Sequence, residues 1–186
     1  AIAEPPGDVA QRVQDRLIKL DWNISDDHRA SLRWQTTDQS EPTYPGFGTS
    51  SVGLTSQAYS ETKEFNSLVG QVFSDWSSDF STELRISRRE QNKSYTNASR
   101  LPATGIGFPG TLPANAPAGT RTGTRFINLG TEQSRHVNEL STTSYDAYAA
   151  GNWLRGDHEI KFGADYKRDK MMNVFLQNTF GNYTFG

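Results

Sequence analysis

Period-two alternation constrains this chain more than any other feature. In GDHEIKFGADYKR, Gly156 to Arg168, the residues Ile160, Phe162, Ala164 and Tyr166 share one face of an extended chain. Glu159, Lys161, Gly163 and Asp165 share the other. The pattern recurs in LIKLDWNIS, where Ile18, Leu20, Trp22 and Ile24 oppose Lys19, Asp21 and Asn23. In RASLRWQT, Ala30, Leu32, Trp34 and Thr36 oppose Arg29, Ser31, Arg33 and Gln35. In FSTELRIS, Phe80, Thr82, Leu84 and Ile86 oppose Ser81, Glu83, Arg85 and Ser87. STTSYDAYAAGNW sets Tyr145, Ala147, Ala149 and Trp153 against Ser144, Asp146 and Tyr148, whereas FNSLVGQVFSDW is ambiguous in register. In the four clear strands the apolar face carries no charge. Either a soluble sheet on a core or a membrane barrel with a wet interior satisfies that rule.

The connections choose between them. Three are tight and rich in turn-forming Asp, Ser and Gly: Ser25–His28, Asp75–Asp79 and Arg155–His158. The others are long: about Asp38 to Lys63, about Gln91 to Leu140, and a third after Asp169. Loops beyond about 12–15 residues are uncommon in compact domains. In an up-and-down meander, strict alternation puts every short turn at one end and every long loop at the other. Outer-membrane barrels have that asymmetry, and strands of about 9–11 residues suffice to cross when tilted. The expected fold is therefore all-β: an antiparallel up-and-down meander of about six strands, part of a transmembrane β-barrel with long extracellular loops. Residues 1–14 read as a lead-in, and 15–186 as the barrel segment of three hairpins. Trp22, Trp76 and Trp153 each precede a short turn. They are expected in an interfacial girdle on the periplasmic side, against the plainer reading that they close hairpin cores.

Composition agrees with a wall wet on one side. Hydrophobic residues are only 34%, while aromatics at 11% argue against disorder. A net charge of -2 gives no reason to expect nucleic acid. Cysteine is absent, which excludes disulfides and thiolate metal sites. No apolar run reaches the length of a membrane helix. The first residues lack the basic start and apolar core of a signal peptide.

Chemical motifs are few. GIGFPG, Gly105–Gly110, matches the dinucleotide fingerprint in letters. That motif needs a strand before it and a helix after it, and Pro113 and Pro117 forbid the helix. It reads as a flexible surface loop. His28, His136 and His158 have no metal-ligand spacing. No catalytic, cofactor or metal residue is assigned, and the chain is expected not to be an enzyme. Arg33, Glu83, Arg85, Lys161 and Asp165 are candidates to line a substrate path, or simply pair with one another or with whatever else fills a wet interior. The loop aromatics Tyr44, Phe47, Tyr95 and Phe108 are candidates to grip a ligand, against local loop packing. The cluster Ser87–Glu90 is expected to face solvent or lipopolysaccharide phosphates near a strand's outer end. The sequons at Asn92–Ser94 and Asn97–Ser99 carry no meaning in a bacterial barrel.

Three segments carry a family resemblance: DRLIKLDWNISDDHRASLRW, FSDWSSDFSTELRISRR and GDHEIKFGADYKRDKMMNVFLQNTFGNYTFG. In the last, a turn with His leads an alternating strand, an NVFL segment and a G-x-Y-x-F stretch at Gly181, Tyr183 and Phe185. Over Asp15 to Gly186 the chain resembles TonB-dependent outer-membrane receptors of the large-loop, Oar-like subgroup. The resemblance implies a barrel of about 22 strands, plugged by a globular domain, that imports a small ligand or peptide with energy from TonB. It implies outer-membrane lipid, lipopolysaccharide, TonB and a plug domain as partners. No plug, TonB box or terminal barrel strand is visible, so the chain is expected to be a wall segment of a longer polypeptide. The alternative is a secreted or surface β-sandwich serving as a binding or adhesion module, with its apolar faces meeting across a dry interior.

Overall fold

A computed structural model of the chain describes residues 10–120 and 122–186. Six long strands form one antiparallel sheet: β1 Arg12–Asn23, β2 His28–Thr43, β4 Tyr59–Ser77, β5 Phe80–Asn97, β8 Val137–Arg155 and β9 His158–Leu176. Their order in the sheet is β1-β2-β4-β5-β8-β9, so each strand pairs with its predecessor among the long strands. This is the expected meander. The first strand takes in Arg12, Val13 and Gln14, which the sequence assigned to the lead-in.

Short turns close one end. Arg155 pairs with His158 across Gly156 and Asp157, and Gly156 has φ 61°. A two-residue hairpin loop needs that left-handed backbone to match the strand twist, and glycine adopts it without a Cβ penalty. Ser77 pairs with Phe80 after an irregularity at Asp75/Ser77, so Trp76 belongs to the strand and not to the turn.

The register fixes the faces. One row across the sheet runs Leu20, Leu32, Gly70, Ile86, Ala147 and Tyr166. The row nearer the short turns runs Trp22, Ala30, Val72, Leu84, Ala149 and Ala164. No residue in either row is charged. The ambiguous segment of β4 is resolved, with Leu68, Gly70 and Val72 on the apolar face and Val69 and Phe73 on the charged one. Trp22, Trp76 and Trp153 lie on the apolar face at the short-turn end, where a girdle requires them. Among the described residues no second layer covers this face. Ile18, Leu32, Leu84 and Phe162 are each about half exposed, at 54%, 46%, 53% and 55%. The dry interior that a sandwich demands is missing.

The strands are longer than the sequence suggested. Strands β4, β8 and β9 each have 19 residues. On β5 the apolar band runs from Phe80 to Arg88, about 27 Å along the strand at ~3.4 Å per residue and about 20 Å of depth at a ~40° tilt. That is somewhat short of the ~25 Å apolar band of a bacterial outer-membrane barrel. The rest of each strand projects beyond it. Rows such as Asp38, Glu64, Asn92 and Ser141 are polar although they share the apolar face's parity.

The long connections are not bare loops. They supply a second, four-stranded sheet in the order β10-β6-β7-β3, made of β3 Ser51–Gly53, β6 Ala103–Pro109, β7 Thr124–Leu129 and β10 Asn182–Phe185. The stretch GIGFPG is therefore mostly strand and not a flexible loop. Among the described residues no α-helix follows it, in keeping with Pro113 and Pro117.

The edges of the large sheet are open. Strands β1 and β9 each pair on one side only, and unpaired backbone groups in lipid cost several kcal/mol each. Closing the wall requires further strands on both edges.

Candidate functional site

The charged face of the sheet carries every candidate the sequence placed there. One inner row runs Asp21, Ser31, Gln71, Arg85, Tyr148 and Asp165, and the next runs Lys19, Arg33, Val69, Ser87, Asp146 and Lys167. The predicted lining residues share this face but do not converge on a single point. Glu83 accepts a hydrogen bond from Gln71 Nε2 at 2.7 Å, and the Arg85 guanidinium lies 4.9 Å over the Tyr148 ring. Lys161 pairs with Glu159 at 3.0 Å. Arg33 and Asp165 make no ion pair among the described residues. Glu83, Arg85 and Lys161 are thus held by neighbours outside the candidate set, and none of the five pairs with another.

The cluster Ser87–Glu90 splits between the two faces. Ser87 and Arg89 point inward and both bond Asp146, at 3.0 Å and 2.9 Å. Arg88 and Glu90 point outward and pair with each other. Near the short turns a concavity of about 520 Å³ opens on the inner face, walled by Arg29, Phe73, Glu83, Tyr148 and Lys161. Ala150 and Gly163 form part of its lining. A Cβ at Gly163 would stand 2.8 Å from the Ala149 carbonyl, so the close strand approach there needs glycine.

Above the band, the loops fold toward the same inner side. Arg135 lies in a short 3-10 turn, Gln133–Arg135, and its guanidinium sits 5.4 Å from the Tyr59 ring centroid and 4.4 Å from that of Tyr95. The two tyrosines meet edge-on at 5.6 Å. Both are inner-face strand residues: Tyr95 belongs to β5 and not to a loop, a correction to its expected place. Glu61, on the same face, accepts from Lys63 at 2.7 Å and from Lys93 at 3.0 Å. Glu61 stands well outside the apolar band. Burial pushes its carboxyl upward, but hydrogen bonds from Lys63, Lys93 and Tyr95 outweigh that and hold it at about 2, below the ordinary 4.5.

Among the described residues the best-packed interior lies in this platform, where Ala58, Ala103, Thr131 and His136 are buried. Thr131 Oγ1 donates to the Ser99 carbonyl at 2.9 Å, and the Gly130 amide donates to Ser56 Oγ at 3.0 Å. His136 Nδ1 accepts the Phe180 amide at 2.9 Å and its ring stacks on Phe180 at 4.8 Å. These contacts knit three separate connections into one body. Beneath the small sheet a polar cleft of about 350 Å³ is lined by Gln57, Asn128, Glu132, Gln133, Asn182 and Thr184. Amide and carboxylate groups there present donors and acceptors together. Sequence reasoning assigned none of these six, because nothing local shows that three distant loops converge.

The remaining candidates disperse. Phe47 is exposed, Phe108 is half exposed on β6, and Tyr44 lines a different hollow beside Pro42 and Ser60. His28 tilts against Trp76 at 5.0 Å near the short turns, far along the sheet from His136. No group of three metal-ligating side chains occurs among the described residues. None of their helices is long and apolar enough to cross a membrane; the strands do the crossing.

A single-layer sheet, apolar on its uncovered side, charged on the other, with turns below and a loop platform above, defines the wall of a transmembrane barrel. The chain belongs to the outer membrane beta barrel domain family, whose model matches residues 6–186. It resides in the bacterial outer membrane. The match is to the barrel domain at large and does not single out the TonB-dependent subgroup. No curated protein and no solved structure matches the chain.

Proposed function

We propose that this wall belongs to a TonB-dependent transporter or receptor that captures a small ligand or peptide at the loops and takes it up across the outer membrane. The observation that carries the proposal is the latch of Arg135 on Tyr59 and Tyr95. It draws a structured platform, with an amide-lined cleft, toward the inner side of strands that rise well beyond the bilayer. The resemblance of the three strand segments to the receptor family points the same way. The wall performs no chemistry on the ligand in this reading. A plug domain and TonB would engage through other parts of the polypeptide.

The test uses the full-length polypeptide folded in detergent. Saturable capture by the immobilised periplasmic domain of TonB is expected, together with a closed state in planar bilayers. Steady open conductance without TonB capture would overturn the proposal in favour of a pore.

A further inference from the structure

The cleft beneath the small sheet has a floor that packing alone does not explain. The stretch GIGFPG lies mostly in β6, so Gly105 and Gly107 turn one way and Ile106 and Phe108 the other. One row across the sheet runs Thr184, Gly105, Asn128 and Gly53, and the next runs Gly107, Phe126 and Ser51. The face that carries Thr184 and Asn128 is therefore bare along β6. Two other glycines nearby are explained by the backbone. Gly46 has φ 88°, and a Cβ on Gly53 would fall 2.1 Å from the Pro45 carbonyl oxygen. Gly105 is different. A Cβ there would meet nothing closer than Asn128 Oδ1 at 3.4 Å, within ordinary contact. Glycine inside a strand is less stable than alanine, and it marks a bulge, a bend or a close approach. The β6–β7 register is continuous, which leaves the close approach.

Polar groups without partners surround this floor. Gln57, at the end of the 3-10 turn Thr55–Gln57, lines the cleft and is only 8% exposed. Its side-chain amide has no hydrogen-bond partner among the described residues, and neither have the Asn128 amide and the Thr184 hydroxyl. Glu132 accepts the Ser134 amide on Oε2 at 3.0 Å and leaves Oε1 for the cleft. Asn182 Nδ2 donates to Gln133 Oε1 at 3.0 Å, which fixes that wall. No Lys, Arg or His is among the described residues that line the cleft.

We infer that this cleft binds a neutral saccharide, and that such a sugar is the ligand the loops capture. The second half rests on the uptake reading above; the first does not. A buried amide needs a partner that both accepts and donates, as a hydroxyl does. The adjacent carbonyl and amino groups of Gln57 and Asn128 each suit a pair of neighbouring sugar hydroxyls. A phosphate or carboxylate ligand would meet Glu132 and no cation. A peptide needs apolar pockets for its side chains, and the cleft offers one aromatic ring, Phe126. The electron-rich face of that ring suits the C–H face of a sugar. At about 350 Å³ the cleft stands at the small end of ligand sites, which run from roughly 300 to 1,000 Å³ and here leave room for one or two sugar rings.

The full-length polypeptide, folded in detergent, is screened against neutral oligosaccharides of the gluco, manno, galacto and N-acetylhexosamine series, with digalacturonate and tetra-alanine as anionic and peptide probes. A neutral sugar should bind saturably and the other two should not. Gln57→Glu and Asn128→Asp keep the shape and remove the amide donors. Each should weaken binding about tenfold, the loss of one buried hydrogen bond. Gly105→Val fills the floor and should weaken it at least as much, while Ile127→Val, on the other face of β7, binds as the parent does. Limited proteolysis of the loops checks that each variant keeps its platform; if Gly105→Val loosens it, Asn128→Asp decides. Three results overturn the site: no neutral sugar bound by the parent, tighter binding of digalacturonate or tetra-alanine, or platform-intact variants that bind within threefold of the parent. Capture by TonB, measured on the same sample, separates the two readings. Capture without sugar binding sinks the saccharide and leaves uptake standing, and sugar binding without capture does the reverse.

Discussion

The assignment of lipid to the apolar face can be tested at Leu84. This residue sits midway between Phe80 and Arg88 on β5, about 14 Å along the strand from either end of the band. Its side chain is uncovered, with 53% of its surface exposed. Leu84→Arg therefore puts a cation at the bilayer midplane, at a cost of about 2–4 kcal/mol. Ser81→Arg puts the same group on the wet inner face of the same strand and should cost under about 1 kcal/mol. A buried core would also reject arginine, so a second pair of variants separates lipid from protein. Ala149→Phe and Ala164→Phe enlarge side chains that face the same layer. Overpacking a closed core costs about 1–3 kcal/mol, whereas a lipid face accepts a larger ring with little change or a small gain. The assay is urea unfolding and refolding of the full-length protein into lipid vesicles, followed by tryptophan fluorescence and gel mobility. Equal losses for Leu84→Arg and Ser81→Arg, or a loss above about 1 kcal/mol for the phenylalanine variants, would refute the lipid assignment.

Glu61 gives a pH dependence with a definite sign. Its folded carboxyl is held at about 2 against an ordinary 4.5, so the stability it lends is present above pH 4.5 and lost as pH falls toward 2. With solvent screening this is about 1 kcal/mol; Glu61→Gln should flatten the dependence, read as hydrogen exchange at the outer ends of β4 and β5. Arg135→Ala removes two cation–ring contacts, each worth about 0.5–1 kcal/mol. Residues 98–136 should then open to limited proteolysis several-fold faster, with the six-stranded sheet unaffected. Gly130 has φ 82°, and a Cβ there would fall 1.8 Å from the Pro102 carbonyl oxygen. Gly130→Ala should loosen the loop platform by more than ~1 kcal/mol, seen as lost amide protection at Thr131 and Ala103.

The meander, its short turns and the faces of the clear strands were legible in the sequence, because a wall between lipid and water imposes a period of two on every residue that crosses. The same physics explains where legibility stopped. Above the band both faces are wet, so Thr62, Glu64, Asn92 and Ser94 show no alternation, and the strands read as loops from about Asp38, Gln91 and Asp169 onward. In β4, apolar residues occupy both parities, with Leu68 and Val72 against Phe65, Val69 and Phe73. Its register was therefore open until pairing with β2 and β5 chose it. Ser87–Glu90 reads as one charged cluster, yet adjacent strand positions point to opposite solvents, which sends Arg89 to Asp146 and Arg88 outward. The cleft of Gln57, Asn128, Gln133 and Asn182 had no local signal at all. Its residues come from three connections far apart in the chain, and only hydrogen bonds such as those of Thr131 and His136, formed in the folded state, bring them together. The alternation alone tells which solvent each side of the wall meets; how far the wall rises and what closes over it follow only from the folded chain, since long-range pairing leaves no periodic trace.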